Sequence, residues 1–397
     1  PFAVLLRSSL GFRGAKYFGF IRCLVGIFMF GIQTYFLSKA FGYLIRVLLF
    51  SIDNSFLQKE FLLIFVLGLN LIDWISIIIA ICLQSFLFSK GMKFNKKFIK
   101  FSALTVYLGM IMFFFIVLLN DVKLTSSAFL KILDLENFTN KNNFAPLITV
   151  AATIFSFFSV VIVTFGDFSR YVKNENQLKK GNFSLILNLI IFSFFSLFVV
   201  AGTDAFLNLN IENLDVIYTN PTDIIGKFDN ILITILALLF IIIASASTNL
   251  VANFIPSQYT LINFAPSTLS LKSASHFIAF FGFLIGIFWL VFFSQIGILS
   301  FIDTFGSFFG PLFGVMVSDY YFIRKEKLFN QDIYSMENSG EYFYSSGWHL
   351  KGVYSLLIGF ILSSSTIWNN NLMFLQSYSW IIGAFFASLV YYLLAKK

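Results

Sequence analysis

The sequence predicts an all-helical protein that lives in a membrane, and three observations carry that prediction. The first is composition. Hydrophobic residues make up 58% of the 397 residues, charged ones only 12%, and the mean hydropathy is +0.86. A soluble domain carries about 25% charged residues, so this chain has too few polar side chains to cover a surface facing water. The second is a series of ten apolar runs, each long enough to cross a bilayer. The third is the placement of Lys and Arg, which alternates between the connections joining those runs. Together they exclude a cytosolic enzyme, a disordered chain and a disulfide-stapled secreted domain.

A helix needs roughly 17–25 apolar residues to cross the hydrocarbon core. Such runs lie near 17–38, 61–88, 103–120, 148–166, 184–206, 230–252, 275–294, 299–322, 352–368 and 377–395. Lipid offers no partners for irregular backbone, so each reads as a helix. The first run carries Gln33 and Thr34, and the short apolar stretch Phe41–Phe50 after it reads as a half-helix or interfacial piece. The second carries Asn70, Asp73 and Gln84. The third follows a lysine cluster, Lys90 to Lys100. The fourth closes at Gly166-Asp167, and the fifth lies between Lys179-Lys180 and Asp204. The sixth is the richest in polar groups, with Ser245, Ser247, Thr248, Asn249 and Asn253 near its end. The seventh opens at His276. The eighth carries Asp303, Ser307 and a stripe of Gly306, Gly310 and Gly314, four residues apart, which reads as a close-packing surface. The chain finishes on Lys396-Lys397.

Numbering the connections alternately puts twenty of the 27 basic residues on one side and seven on the other. Cytoplasmic loops carry the excess of Lys and Arg. Both ends of this chain are therefore expected in the cytoplasm, and the acidic segments Asp121–Glu136 and Asp204–Asp229 outside. The net charge of +8 follows from this topology, and no nucleic-acid partner is expected. Cys23 and Cys82 sit in apolar runs without metal or disulfide spacing and are expected as buried thiols. His276 and His349 lack partners at metal spacing and are expected at the surface.

Polar groups at membrane depth face the bundle interior and mark function. Ala244, Ser247 and Thr248 stand at i, i+3 and i+4, on one helix face. Two hydroxyls with nearby backbone carbonyls suit a hard monovalent cation. The competing reading is close helix packing, with the hydroxyls bonded to the preceding turn. Gln33 and Asn253 each present an amide donor beside an acceptor, the arrangement that reads a heterocycle edge. Phe157 and Phe158 offer a stacking face, against the reading that they are core or lipid-facing. Asp73 reads either as a proton carrier or as a silent acid bonded to Asn70. No HExxH, GxSxG, GxxxxGK[ST], Arg-rich helix or TVGYG filter is present. A secondary transporter for a neutral polar solute is the class left standing, and no enzyme activity is expected.

Several stretches then make the chain resemble the nucleobase–cation symport-1 family of permeases for cytosine, uracil, purines, thiamine, allantoin and hydantoins. They are Arg7-Ser8-Ser9-Leu10-Gly11-Phe12-Arg13-Gly14-Ala15 running into Gly31-Ile32-Gln33-Thr34, then Gly166-Asp167-Phe168-Ser169-Arg170-Tyr171, then Ser247-Thr248-Asn249-Leu250-Val251-Ala252-Asn253. They continue with Gly310-Pro311 through Ile323-Arg324 and the loop from Ile333-Tyr334 to Gly347-Trp348. The resemblance implies two inverted five-helix repeats and two accessory helices, with substrate held at the midplane. Residues 1–397 then form one polytopic domain: 1–120 is the remainder of the first repeat, 148–322 the rest of the core, and 352–397 the accessory pair.

That architecture has twelve helices, and the ten runs here match its third to twelfth. The chain also opens on Pro1 rather than Met, so a fragment or truncated product is expected. By motif position, Ala244, Ser247 and Thr248 correspond to the family's cation ligands, and Gln33 and Asn253 to its substrate amides. The family's ring-stacking Trp positions hold Met29 and Phe158 here. Asp167 and Arg170 are expected to pair and anchor the cytoplasmic end. The expected activity is cation-coupled symport of a nucleobase or related N-heterocycle by a monomer in the cell membrane. It needs no cofactor beyond Na+ or H+ as coupling ion. Two alternatives stand beside it: a permease for another small neutral solute on the same fold, and a non-transporting membrane remnant.

Overall fold

The computed structural model describes residues 2–134, 139, 141–210, 225, 230–295, 298–329, 331–335 and 337–396. Glu136, residues 211–224 and 226–229 of the second acidic segment, and Lys397 lie outside the described residues. Among the described residues, ten helices are long and apolar enough to cross a membrane. They are α1 (Phe2–Ile52), α2 (Leu71–Phe88), α3 (Met92–Leu119), α4 (Phe144–Val163), α5 (Glu175–Ala205), α6 (Ile231–Phe264), α7 (Leu271–Phe293), α8 (Phe301–Ile323) and α9 (Leu350–Trp368), with α10 (Ser379–Ala395) entered through the tight turn helix Asn370–Tyr378. Each of the ten apolar runs becomes one of them.

Two expectations about the spans are corrected. Phe41–Phe50 is no separate half-helix, because α1 runs unbroken through it to Ile52. Conversely, the run expected from residue 61 opens with a short 3-10 helix, Glu60–Leu63, and becomes the spanning α-helix only at Leu71, where Asn70 caps it. The Asn70 side chain accepts from the Asp73 N–H, and Asp73 reaches back to the Asn70 N–H.

α1 and α8 are the most buried helices, while α5 is exposed along most of its length. α1 packs against α2, α6 and α7, and α8 packs against α4, α9 and α10. Exposed Phe and Leu on α3, α4 and α5 are what lipid as solvent requires. The glycine stripe of α8 packs as expected. A Cβ on Gly310 would lie 2.5 Å from the Trp380 carbonyl oxygen, and one on Gly314 would collide with that of Ala384. The α8 and α10 backbones touch there.

At the end bearing the basic loops, segment 340–349 docks onto the start of α1. Gly11 bends α1 at φ +77°, and a Cβ there would sit 2.6 Å from the Gly347 carbonyl oxygen. The Arg13 N–H donates to Gly347 O at 2.7 Å and the His349 N–H to Leu10 O at 2.9 Å. Arg324 holds the cluster, donating to Asp319 (3.1 Å), Glu341 (2.8 Å) and the Ser8 carbonyl (3.3 Å). Burial alone would lower its pKa, but Asp319, Tyr344 and Glu341 outweigh it and hold the guanidinium above its usual value. His349 is no surface residue. Its ring is half-buried, stacks on Tyr344 at 4.0 Å and binds the Ser9 carbonyl through Nδ1 at 2.9 Å. His276 is exposed as expected, and Cys23 is buried, whereas Cys82 is exposed on α2.

Candidate substrate and cation site

The polar end of α6 owes its shape to one proline. An α-helix would bond the Ala252 carbonyl to the N–H of residue 256, but Pro256 has none. The helix widens into a π-turn over Leu250–Phe254, a feature frequent at functional sites. The freed Ala252 carbonyl accepts from Arg22 Nη2 of α1 at 2.9 Å. Ser257 Oγ donates to the Asn253 carbonyl at 2.6 Å. The π-turn places Asn253 where α1 and α6 face each other.

There the amides join. Asn253 Nδ2 donates to Gln33 Oε1 at 2.8 Å and to Asn249 Oδ1 at 3.0 Å. Asn249 Nδ2 in turn reaches Gln84 Oε1 of α2 at 2.8 Å, Thr34 Oγ1 at 3.1 Å and the Phe30 carbonyl at 3.2 Å. Gln84 Nε2 donates to Thr34 Oγ1 at 3.0 Å. Asn249, Thr34 and Gln84 are buried, and each finds partners, as burying amides demands. This network uses the Gln33 acceptor and the Asn253 donor. The Gln33 Nε2 donor and the Asn253 Oδ1 acceptor are not used by these bonds, and a donor and an acceptor of this kind complement the N–H and C=O groups of a heterocycle edge.

Sequence reasoning found the outer members of this network and missed the inner ones. Gln84 and Asn249 were visible as amides within apolar runs. Their partners were not, because they lie on helices 50 and 165 residues away in sequence.

Met29, Phe157 and Asn253 line one small cavity with Ser156, Ala252 and Phe305, about 20 Å³ in volume. That is room for about one water molecule, so a ring would enter only as α4 and α8 part from α1 and α6. Phe158 does not line it. It stands edge-on to Phe157, with centroids 5.4 Å apart and planes at 85°, and is turned away from Asn253's cavity. The aromatic side chains that line the cavity are Phe157 and Phe305.

Ala244, Ser247 and Thr248 share one helix face as expected. Ser247 Oγ and Thr248 Oγ1 both donate to the Ala244 carbonyl, at 2.9 and 3.0 Å. Three oxygens thus gather within one turn. Ala244 and Ser247 are half-buried and Thr248 is exposed; both hydroxyls are bonded to the preceding turn, the arrangement that the packing reading expects. Asp73 is not at mid-membrane. It sits in the first turn of α2, bonded to Arg46 at 3.0 Å and 3.8 Å from Lys39 Nζ, which is the arrangement of a structural anchor.

Asp167 and Arg170 do not pair. Asp167 accepts from the Phe2 N–H at 3.0 Å, and Arg170 lies over the Tyr259 ring, 4.3 Å from its centre. Burial raises the Asp167 pKa, opposed by the Phe2 hydrogen bond and by the charges of Arg170 and Arg22.

Against known proteins, residues 1–392 match the family described as permease for cytosine/purines, uracil, thiamine, allantoin. The chain is 26% identical to an allantoin permease of Bacillus subtilis over all of its own length and 77% of that protein. It is 27% identical to a purine-uracil permease of Arabidopsis thaliana over 91% of this chain and 57% of the other. Among solved structures, it resembles the nucleobase-cation-symport-1 family transporter Mhp1 in a closed conformation with bromovinylhydantoin bound. The TM-score is 0.71, with 21% identity over 98% of this chain and 77% of that one. The inward-facing conformation of Mhp1 aligns with a TM-score of 0.69. The ten apolar helices and the transporter fold agree with these matches: the chain is a multi-pass membrane protein that belongs to the cytosine/purine, uracil, thiamine and allantoin permease family.

Proposed function

We propose that this protein carries a nucleobase or related N-heterocycle across the membrane by cation-coupled symport and alternating access. The observation that carries the reading is the Asn253–Gln33 pair. Asn253, bonded to Gln33, lines a cavity walled by Phe157, Phe305 and Met29, so amide recognition and ring contact converge on one point. The relatives' names, allantoin and purine-uracil permeases, support the same solute class. Met29 is soft and adaptable, so the ring is clasped by the aromatic side chains of Phe157 and Phe305 and one thioether.

The coupling ion is sodium, held by the Ala244 carbonyl and the Ser247 and Thr248 hydroxyls together with ligands from outside this turn. Those oxygens are neutral and hard, as sodium prefers. Asp73, the alternative proton carrier, is committed to Arg46 and the α2 cap. The basic loops and both chain ends face the cytoplasm, and the transporter works as a monomer.

A thermal-shift panel of cytosine, uracil, adenine, allantoin and benzylhydantoin, with and without sodium, tests this reading. The expected result is stabilisation by one subclass, deepened by sodium and lost in Asn253→Ala. Stabilisation that survives Asn253→Ala and Gln33→Ala together would remove the pair from the site.

A further inference from the structure

A second cavity, of about 450 Å³, opens at the end of the molecule away from the basic loops. Its walls include Phe144 and Thr149 of α4, Asp303 of α8, and Phe374, Gln376 and Tyr378 of the segment leading into α10. That volume falls within the range of small-molecule sites, whereas the cavity beside Asn253 holds about one water. The two lie one helical turn apart. Ala152 and Thr153 line the outer cavity and Ser156 and Phe157 the inner one; on α8, Asp303 turns outward while Ile302 and Phe305 turn inward. α4 and α8 meet closely at this level, since a Cβ on Gly306 would lie 2.5 Å from Ser156 Oγ.

The chemistry of the outer cavity differs from that of the inner one. Asp303 is the charged residue among its described lining residues and is only 8% exposed. Gln376 Nε2 donates to its Oδ2 at 2.9 Å. Each carboxylate oxygen has two lone pairs, so both oxygens retain acceptor capacity, and Gln376 retains its carbonyl. The wall is therefore acceptor-rich and negatively charged, and Phe144, Phe374 and Tyr378 add apolar area. Among the described residues this buried carboxylate is held by one neutral amide and is incompletely compensated, which favours a ligand that brings donors or positive charge.

Building on the proposed function, we propose that this outer cavity is a second binding site. It receives planar solutes with two adjacent N–H donors, such as ureides and amidinium ions, before they reach Asn253. Asp303 takes the paired N–H groups, and the site turns away anions. The outer site thus selects on donor count and charge, and the inner site on the alternation of donor and acceptor.

Equilibrium binding of radiolabelled allantoin, cytosine and benzamidinium to the purified protein tests this. The expected result is two classes of sites in the wild type. Asn253→Ala keeps the outer class alone, and Asp303→Asn loses it, with benzamidinium weakened about tenfold or more. Retention of the inner class with a wild-type dissociation constant in Asp303→Asn shows that its loss of benzamidinium is not misfolding. Orotate, an anion of the same size, binds only the inner class or not at all. A single class abolished by Asn253→Ala and untouched by Asp303→Asn would overturn the outer site and leave the inner reading intact. A single class lost in Asp303→Asn and indifferent to Asn253→Ala would uphold the outer site and sink the inner one. No binding of any of the three probes would overturn both.

Discussion

Asn253 Nδ2 lies 2.8 Å from Gln33 Oε1, joining α6 to α1 across 220 residues of sequence. The bond orients both amides, so the remaining donor and acceptor are held in place instead of rotating freely. Pre-orientation of this kind lowers the entropic cost of binding. Asn253→Ala removes the acceptor and frees Gln33 and should weaken solute binding about tenfold or more. Gln33→Ala should do the same. Titrations of solute against each purified variant measure the loss, and an unchanged dissociation constant in either contradicts the assignment.

Asn249 is the hub of the buried network, so its removal should cost more stability than removal of any rim member. Asn249→Leu leaves Gln84 Oε1 and Asn253 short of partners and should lower stability by about 1–3 kcal/mol. Gln84→Leu leaves Asn249 with Thr34 and the Phe30 carbonyl and should cost less. Melting temperatures in the same detergent rank the two. A milder effect for Asn249→Leu would mean that the network is not centred there.

Among the described residues, Ser247 and Thr248 bond to the Ala244 carbonyl of their own helix and to no other helix. Removing either hydroxyl therefore breaks no contact between helices. Thr248→Ala and Ser247→Ala should fold with melting temperatures close to wild type and yet show a weaker response of solute binding to sodium. Sodium dependence identical to wild type in both variants would assign the ion elsewhere.

His349 is held below its usual pKa, chiefly by burial, with the Ser9 carbonyl, Asp319 and nearby cations as smaller influences. The folded protein therefore binds fewer protons here than the unfolded chain near and below pH 6.5. Stability from this group is complete above about pH 6.5, the ordinary histidine value, and falls as pH drops toward the depressed folded value. Melting temperature should decline between pH 7.5 and 5.5, and His349→Gln should flatten that decline. An equal slope in the variant would place the pH sensitivity in another group.

Gly11 has φ +77° and a backbone carbonyl 2.6 Å from where a Cβ would be. Gly11→Ala should destabilise the docking of segment 340–349 by at least about 1 kcal/mol. Faster proteolysis within that segment, compared with wild type, is the expected readout. Gly181→Ala, where a Cβ meets open space, is the control.

Much of this was legible without coordinates, and the exceptions share a cause. The ten spans were readable because transfer into lipid is a local sum over about twenty neighbouring residues. Only their ends moved, where a cap such as Asn70 stopped a helix that hydropathy alone would have continued. Gln33 and Asn253 stood out because an amide in an apolar run needs a reason. Helical period places Ala244, Ser247 and Thr248 on one face without any partner, and the structure agrees.

What only the tertiary structure decided is which neighbour each face meets. Phe157 and Phe158 are equivalent in sequence, but packing against α1 and α8 turned one toward Asn253 and the other away. Asp73 became an anchor because Arg46, 27 residues earlier, came within 3.0 Å of it. Cys82 faces outward and His349 inward for the same kind of reason. Sequence by itself determined that this chain is a membrane transporter with sparse amides inside its helices. The meeting of those amides, and the acidic outer cavity, depend on contacts between segments far apart in the chain, which no local property encodes.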